Sequence, residues 1–379
     1  MKKVLSIIAI LLGLGSCIYP YDPDIEGTSD EIVVMEGNIV AGGTSTVNFS
    51  RVYPIKRDRL YDPVNGIAWI EDDAGNEYHP LSQAPSRSVE IPMEKASPEH
   101  KYRMKAKVGD KVYYSDWLEP TAPPVIEDVS FGLSQDSTRV EVAVSVNGGE
   151  RGTGFIGISF DETWEFHSDF LCQYYLDTLD WSVSPLMGMY PNYWCWKSSS
   201  SGMILMSYAE LTTTRLESRV VHTFGRASDR NQKLYSINVH AVNLSEDAFF
   251  YISNVGRISE MSGSLFSPNP GEMPSNFRCE TDPDQHVEGY VTASIATSFR
   301  AFMGSEFYTY PSPSLSSLLI PEDEDSYRNL YDTGFYPVDM MTLPALEPEE
   351  TVTGIAWGPI RCIDCVVAGG SNKKPDYWP

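Results

Sequence analysis

Short runs of alternating polar and apolar residues, each closed by a turn signal, constrain this chain more than any other feature. Lys101-Tyr102-Arg103-Met104-Lys105-Ala106-Lys107-Val108 alternates with period two, Gly109-Asp110 turns it, and Lys111 to Trp117 returns. A helix repeats its apolar face about every 3.6 residues, so such a run fits only a half-buried strand. Ile32 to Val40 is rich in β-branched residues, Gly42-Gly43 turns it, and Ser45 to Tyr53 follows. Ile67 to Glu71 leads into Asp72-Asp73-Ala74-Gly75-Asn76, a hairpin turn, and Glu77 to Leu81 leads out. After Pro120, Pro123 and Pro124 the same grammar resumes in Val125 to Gly132, Val140 to Val146, Gly154 to Asp161 and Leu234 to Val242. The expected class is mainly all-β. An immunoglobulin-like sandwich spans residues 31–122, and a larger β-rich domain with one or two short helices spans 123–379. Ser245 to about Met261 reads as the one clear helix, with Ser245 as its cap and Ala248, Ile252, Val255 and Ile258 on one face. Tyr310 to Asp325, Pro- and Ser-rich and then acidic, reads as a long surface loop.

The first sixteen residues read as an address rather than as fold. Lys2 and Lys3 precede an apolar run, Val4 to Leu14, too short to span a bilayer. Leu14-Gly15-Ser16-Cys17 then resembles the lipobox of bacterial lipoproteins, which implies cleavage before Cys17 and acylation of that residue. Several acyl chains on one residue anchor a protein stably. Residues 17–30 form an acidic, Pro-bearing tether, and no later run is long and apolar enough to span a membrane, so the expected anchor is lipid alone.

The whole chain carries 28 Lys and Arg against 52 Asp and Glu, a net charge of −24. That balance excludes a nucleic-acid binder acting through bulk electrostatics. A hydrophobic fraction of 42% excludes a disordered chain.

Chemistry-bearing motifs are few. Cys362 and Cys365 form a C-x-x-C without the strand-helix setting of a redox pair and without two further ligands at zinc-site spacing. In an oxidising envelope a local Cys362–Cys365 disulfide is the expectation, with metal or redox use as alternatives. With Cys17 lipidated, five cysteines remain, and Cys195 with Cys279 is a second candidate pair. Gly152-Thr153-Gly154-Phe155-Ile156-Gly157 satisfies G-x-G-x-x-G, but the residues after it continue a strand rather than open a helix, so no dinucleotide site is expected. The six histidines form no H-x-x-x-H, and no G-x-S-x-G occurs. No catalytic residue, metal site or cofactor is assigned. Residues 164–196 hold four of the eight Trp. Most of these rings suit a core, whereas Trp181, Tyr190, Tyr193 and Trp194 lie in a Pro- and Gly-punctuated stretch and form a candidate binding loop for a glycan or peptide.

Several segments together carry a family resemblance. Cys362-Ile363-Asp364-Cys365, Gly369-Gly370-Ser371-Asn372 and Lys374 to Trp378 resemble the closing signature of a Bacteroidota lipoprotein family catalogued as domain of unknown function 4249. Val34 to Ile39, Ala68 to Gly75, Tyr102 with Val112 to Ser115, Pro123 to Ile126 and Val287 to Val291 resemble its internal pieces in order. The resemblance implies an outer-membrane lipoprotein, at the cell surface or alternatively in the periplasmic leaflet. It implies a non-enzymatic accessory role beside a TonB-dependent receptor in nutrient uptake. The alternative is a free-standing surface glycan-binding protein using residues 181–196.

Overall fold

A computed structural model describes residues 32–51, 63–150, 152–207, 215–261, 275–309, 315–321, 323–344 and 351–379. The signal segment, Cys17 and the tether lie outside the described residues. The architecture is all-β, with two sandwiches and a smaller third unit.

The first sandwich packs a four-stranded sheet on a five-stranded one. In the first sheet Glu288–Ser294, Val33–Val40, Thr44–Arg51 and Ser88–Pro92 lie in that order; in the second, Phe277–Cys279, Lys111–Ser115, Tyr102–Val108, Ile67–Asp72 and Glu77–Tyr78. The alternation read in the sequence sets the faces. Tyr102, Met104 and Ala106 are fully buried, while Arg103 and Lys105 point outward and hold Glu71 at 2.7 and 3.1 Å. Residues 31–122 alone do not complete the first sandwich. Its sheets also require Phe277–Cys279 and Glu288–Ser294, and the latter pairs in parallel with Val33–Val40, from Val34 opposite Glu288 to Val40 opposite Ser294. Gly289 permits the close approach: it sits at φ +113°, and a Cβ there would lie 2.0 Å from the Met35 carbonyl oxygen.

The second sandwich sets Arg215–Gly225, Arg139–Asn147 and Val125–Leu133 against Trp194–Ser200, Phe155–His167, Leu234–Asn243 and Thr297–Met303. Val140, Val142, Val144 and Val146 fill it from one side; Ile156, Ile158, Tyr235, Ile237 and Val239 fill it from the other. The strand expected to end at Asp161 runs on to His167, because Trp164 and Phe166 keep the inward alternation. Gly154, at φ +84°, only starts this strand, so the G-x-G-x-x-G stretch holds no helix.

Asn243 fastens the seam between the sandwiches. Its buried side-chain amide donates to the Ala122 carbonyl at 2.8 Å and the Gly148 carbonyl at 3.1 Å. The helix Glu246–Met261, capped by Ser245 Oγ on the Ala248 N–H at 3.2 Å, crosses the same seam. Its Tyr251 stacks on Tyr290 and donates to Glu36 Oε1 at 3.0 Å.

The third unit is a two-stranded ribbon, Phe335–Pro344 with Thr351–Pro359, joined by the small hairpin Tyr174–Leu176/Val183–Pro185 and the short helix Tyr327–Asp332. Phe170, Cys172, Leu318, Val338 and Ile363 share its core. The stretch expected as a free surface loop from Tyr310 to Asp325 is therefore partly structural. Residues 310–314 and 322 lie outside the described residues, but Leu318 is buried and Leu319 exchanges both backbone hydrogen bonds with Trp357 at 2.9 and 2.7 Å.

Candidate binding site

Trp181, Tyr190, Tyr193 and Trp194 do not meet on one platform. Trp181 sits at the tip of the small hairpin, its ring edge-on to Tyr331 at 6.0 Å with Arg328 over it at 5.5 Å. Tyr190 packs into the third core beside Tyr336 and donates to Asp364 Oδ2 at 3.0 Å. Tyr193 stacks on His167 at 5.2 Å, and Lys233 Nζ lies over the Trp194 ring at 4.3 Å. A sugar platform needs bare ring faces side by side, whereas each of these rings already has an aromatic or cationic neighbour and the four are spread over separate places.

The exposed apolar residues of this region are others. Leu179, in the hairpin turn, is 92% exposed and Met187, in the bend after the hairpin, 98%; Tyr175 on the hairpin and Met189 beyond it are also exposed. The hairpin is held firmly to the ribbon: the Gln173 N–H donates to the Val338 carbonyl at 2.7 Å, and the Leu186 N–H donates back to the Gln173 carbonyl at 2.7 Å. Sequence reasoning passed over Leu179 and Met187 because it looked for rings. The available signal was a stretch with no Lys or Arg from Gly152 to Trp196, ending in a Leu- and Met-bearing segment without periodicity.

The cysteines correct two expectations. Cys195 is joined to Cys365; Cys362 and Cys279 are free thiols, so neither the Cys362–Cys365 nor the Cys195–Cys279 bridge forms. The reason is the path of the carboxy-terminal tail. Ser371 pairs with Trp196 in an antiparallel bridge and the Cys365 N–H donates to the Asn192 carbonyl at 3.0 Å, which sets Cys365 against Cys195. Cys279 lies in the first sandwich, on the strand Phe277–Cys279, away from that tail. Asp364, itself buried, fixes the tail's turn by accepting from the Val366 and Val367 N–H groups and from Tyr190 and Asn192. The tail ends as a strap over the second sandwich: Tyr377 donates to Thr163 Oγ1 at 2.8 Å, and Trp378 Nε1 donates to Glu165 Oε2 at 3.2 Å. Burial and the Asp169 carboxylate push the Cys362 thiol up, and burial pushes Cys172 up to about 11. Thiols shifted in that direction are poor nucleophiles and poor metal ligands at neutral pH.

The most perturbed carboxylate is Glu162, inside the second sandwich and 2% exposed. Arg230 donates to it twice, at 3.0 and 2.6 Å, and the Tyr235 hydroxyl donates at 2.9 Å. His222 Nε2, from the facing sheet, lies 3.1 Å away. Burial works to raise this carboxyl, but His222 and Arg230 hold it down to about 2. Burial and the Glu162 charge push the Tyr235 hydroxyl up. A carboxylate ionised throughout the neutral range, with its oxygens already accepting, has no proton to give and no lone pair to spare. The cluster is a clasp between sheets. Glu165, on the same strand, is likewise taken by Lys233 and Trp378. Among the described residues no group of three or more His, Cys, Asp or Glu is placed to hold a metal ion.

A cleft of about 760 Å³ lies on the first sandwich beside Arg103, Tyr114, Arg278 and His286. Its basic side chains are engaged: Arg103 with Glu71 at 2.7 Å, Arg278 with Asp116 at 3.0 Å, and His286 Nε2 with Glu288 at 2.6 Å. No helix among the described residues is long and apolar enough to cross a membrane.

Residues 18–300 match the family model described as "Domain of unknown function (DUF4249)". The tail from Cys362 to Trp378 falls outside the matched residues, whereas the internal pieces from Val34 to Val291 fall within them. No curated protein matches the chain. Among solved structures, a two-fibronectin type-III domain segment from chicken tenascin is 10% identical, covering 56% of this chain and 89% of that one at a TM-score of 0.16. Chicken CNTN1 FN1–FN3 domains are 10% identical, covering 55% of this chain and 60% of that one, also at 0.16.

Proposed function

The chain belongs to the DUF4249 family, and from that premise we propose that it is a non-enzymatic outer-membrane lipoprotein, surface-exposed, that assists a TonB-dependent receptor in nutrient uptake. The observation that carries the reading is Leu14-Gly15-Ser16-Cys17 behind a short apolar run, which makes Cys17 the lipidated residue. The saturated state of Glu162 and Glu165 and the raised Cys362 thiol support a role without catalysis. The contacts of Tyr193 with His167 and of Trp194 with Lys233, and the scatter of the four rings, make a free-standing glycan platform the poorer fit. A net charge of −24 disfavours lying flat on an anionic lipid surface, which suits a protein that stands off on a tether.

Two measurements test the reading. Metabolic labelling with a palmitate analogue should mark the wild type and lose the mark in Cys17→Ala. Affinity purification from detergent-solubilised outer membrane at native expression should then bring down a TonB-dependent receptor in stoichiometric amount. Recovery of the lipoprotein alone, in mild detergent and at controlled salt, would overturn the accessory role.

A further inference from the structure

The third unit differs from the rest of the molecule in charge and in surface. The stretches 168–193 and 315–363, whose described residues build it, contain twelve Asp and Glu against two cations, Arg328 and Arg361. Arg328 lies over the Trp181 ring and Arg361 beside Cys362, so acids outnumber cations six to one in these stretches. On this acidic body the tip of the hairpin presents Leu179, and the bend just past its second strand presents Met187, both almost wholly exposed, with Tyr331 of the adjoining helix 43% exposed. Large apolar side chains held that openly on an ordered element, and rimmed by charge, mark a docking surface.

We propose that this hairpin docks onto a protein surface that is apolar at its centre and rimmed by Lys and Arg. Charge complementarity selects that occupant over the others. A second copy would bring two strongly acidic units face to face, and like charges across an interface cost several kcal/mol. An anionic lipid surface is repelled for the same reason. A basic rim around an apolar centre instead meets both features of the unit, the acids steering encounter and Leu179 and Met187 entering pockets. The inference rests on the accessory role above, since the partner surface belongs to the receptor assembly.

The test uses the full lipidated chain in its own envelope, with a photo-reactive phenylalanine analogue in place of Leu179, of Met187 or, as a control on the first sandwich, of the 95% exposed Leu81. The protein that co-purifies with the wild type should be captured from positions 179 and 187 and not from 81. Capture should fall about tenfold in Glu324→Lys/Asp332→Lys, and again as salt rises from about 0.05 to about 0.5 M. Both acids are exposed, and an unchanged circular dichroism spectrum would show the variant folded. Capture from 81 alone, with co-purification intact, would overturn the docking surface and leave the accessory role standing. Loss of both co-purification and capture would overturn the two together. Chain-to-chain adducts would put a second copy on the hairpin, and salt-insensitive binding to phosphatidylglycerol vesicles would put lipid there; either result overturns the proposal.

Discussion

The two sandwiches bury similar apolar faces and handle their buried polar groups in opposite ways. In the first, buried polar side chains stand in for missing backbone partners. Asn276 exchanges both hydrogen bonds with Val291, at 2.8 and 2.9 Å, and Ser115 Oγ accepts from the Met104 N–H at 2.9 Å. Asp72 caps its own hairpin, accepting from Ala74 and Asn76. In the second, a full ion pair with a tyrosine and a histidine spans from sheet to sheet around Glu162. Neutral Asn276 and Ser115 complete ladders and the Asp72 charge is satisfied within its own hairpin, whereas the Glu162 charge demands that partners from separate elements all stay in place. The first sandwich is thus sensitive to whether its distant strand arrives, and the second to whether its charges survive.

The sharpest way to break that contrast is to remove one charge. Arg230→Met leaves Glu162 buried without its bidentate partner and should cost the second sandwich about 3–5 kcal/mol. Hydrogen exchange read peptide by peptide should show protection falling in 155–167 and 234–243, with 102–115 unchanged. Equal loss in both sandwiches would mean that the seam makes them one cooperative unit. The converse change is Gly289→Ala. With φ at +113° and Met35 in the way, it should cost the first sandwich about 3 kcal/mol, read as lost protection in 33–51 while 139–147 holds.

Acid offers a milder probe of the same difference. Glu162 titrates at about 2 in the folded protein against an ordinary 4.5. Because the folded value is the lower one, its stabilisation is full above about pH 5 and is lost as pH falls toward 2, amounting to roughly 3 kcal/mol. Glu71 and Asp72 in the first sandwich are also held low against the effect of burial, by Arg103 and Lys105 and by the hairpin donors, but less so. An acid titration should therefore open the second sandwich first, and Glu162→Gln should flatten that difference. The smallest effect belongs to the hairpin: Leu179→Ser with Met187→Ser should move thermal unfolding by no more than about 0.5 kcal/mol, since both side chains are exposed.

What the sequence made legible follows distance along the chain. Hairpins such as Tyr102–Val108 with Lys111–Ser115 carry their turn and their alternation in one stretch, and so does the helix behind Ser245. The pairing of Val33–Val40 with Glu288–Ser294 has no local mark, because two parallel strands this far apart share no turn. The bridge between Cys195 and Cys365 spans 170 residues, and the nearness of Cys362 to Cys365 pointed to the wrong partner. Leu318 was hidden in a Pro- and Ser-rich stretch whose composition resembles a loop, and only the facing Trp357 strand explains its burial. At the candidate site, rings were legible as rings, but whether a neighbour would cover them depended on His167, Lys233 and Tyr331, which come from three separate elements.

The position of Val33–Val40 also decides how the molecule meets mechanical load. A chain held from residues before Val33 transmits any tug into this strand first. The strand is not at an edge: Glu288–Ser294 flanks it on one side and Thr44–Arg51 on the other. A pull along its axis must slide it past both neighbours, so their hydrogen bonds share the force side by side instead of parting one after another. Glu36, on the same strand, passes part of that force through Tyr251 to the helix Glu246–Met261 and so toward the second sandwich.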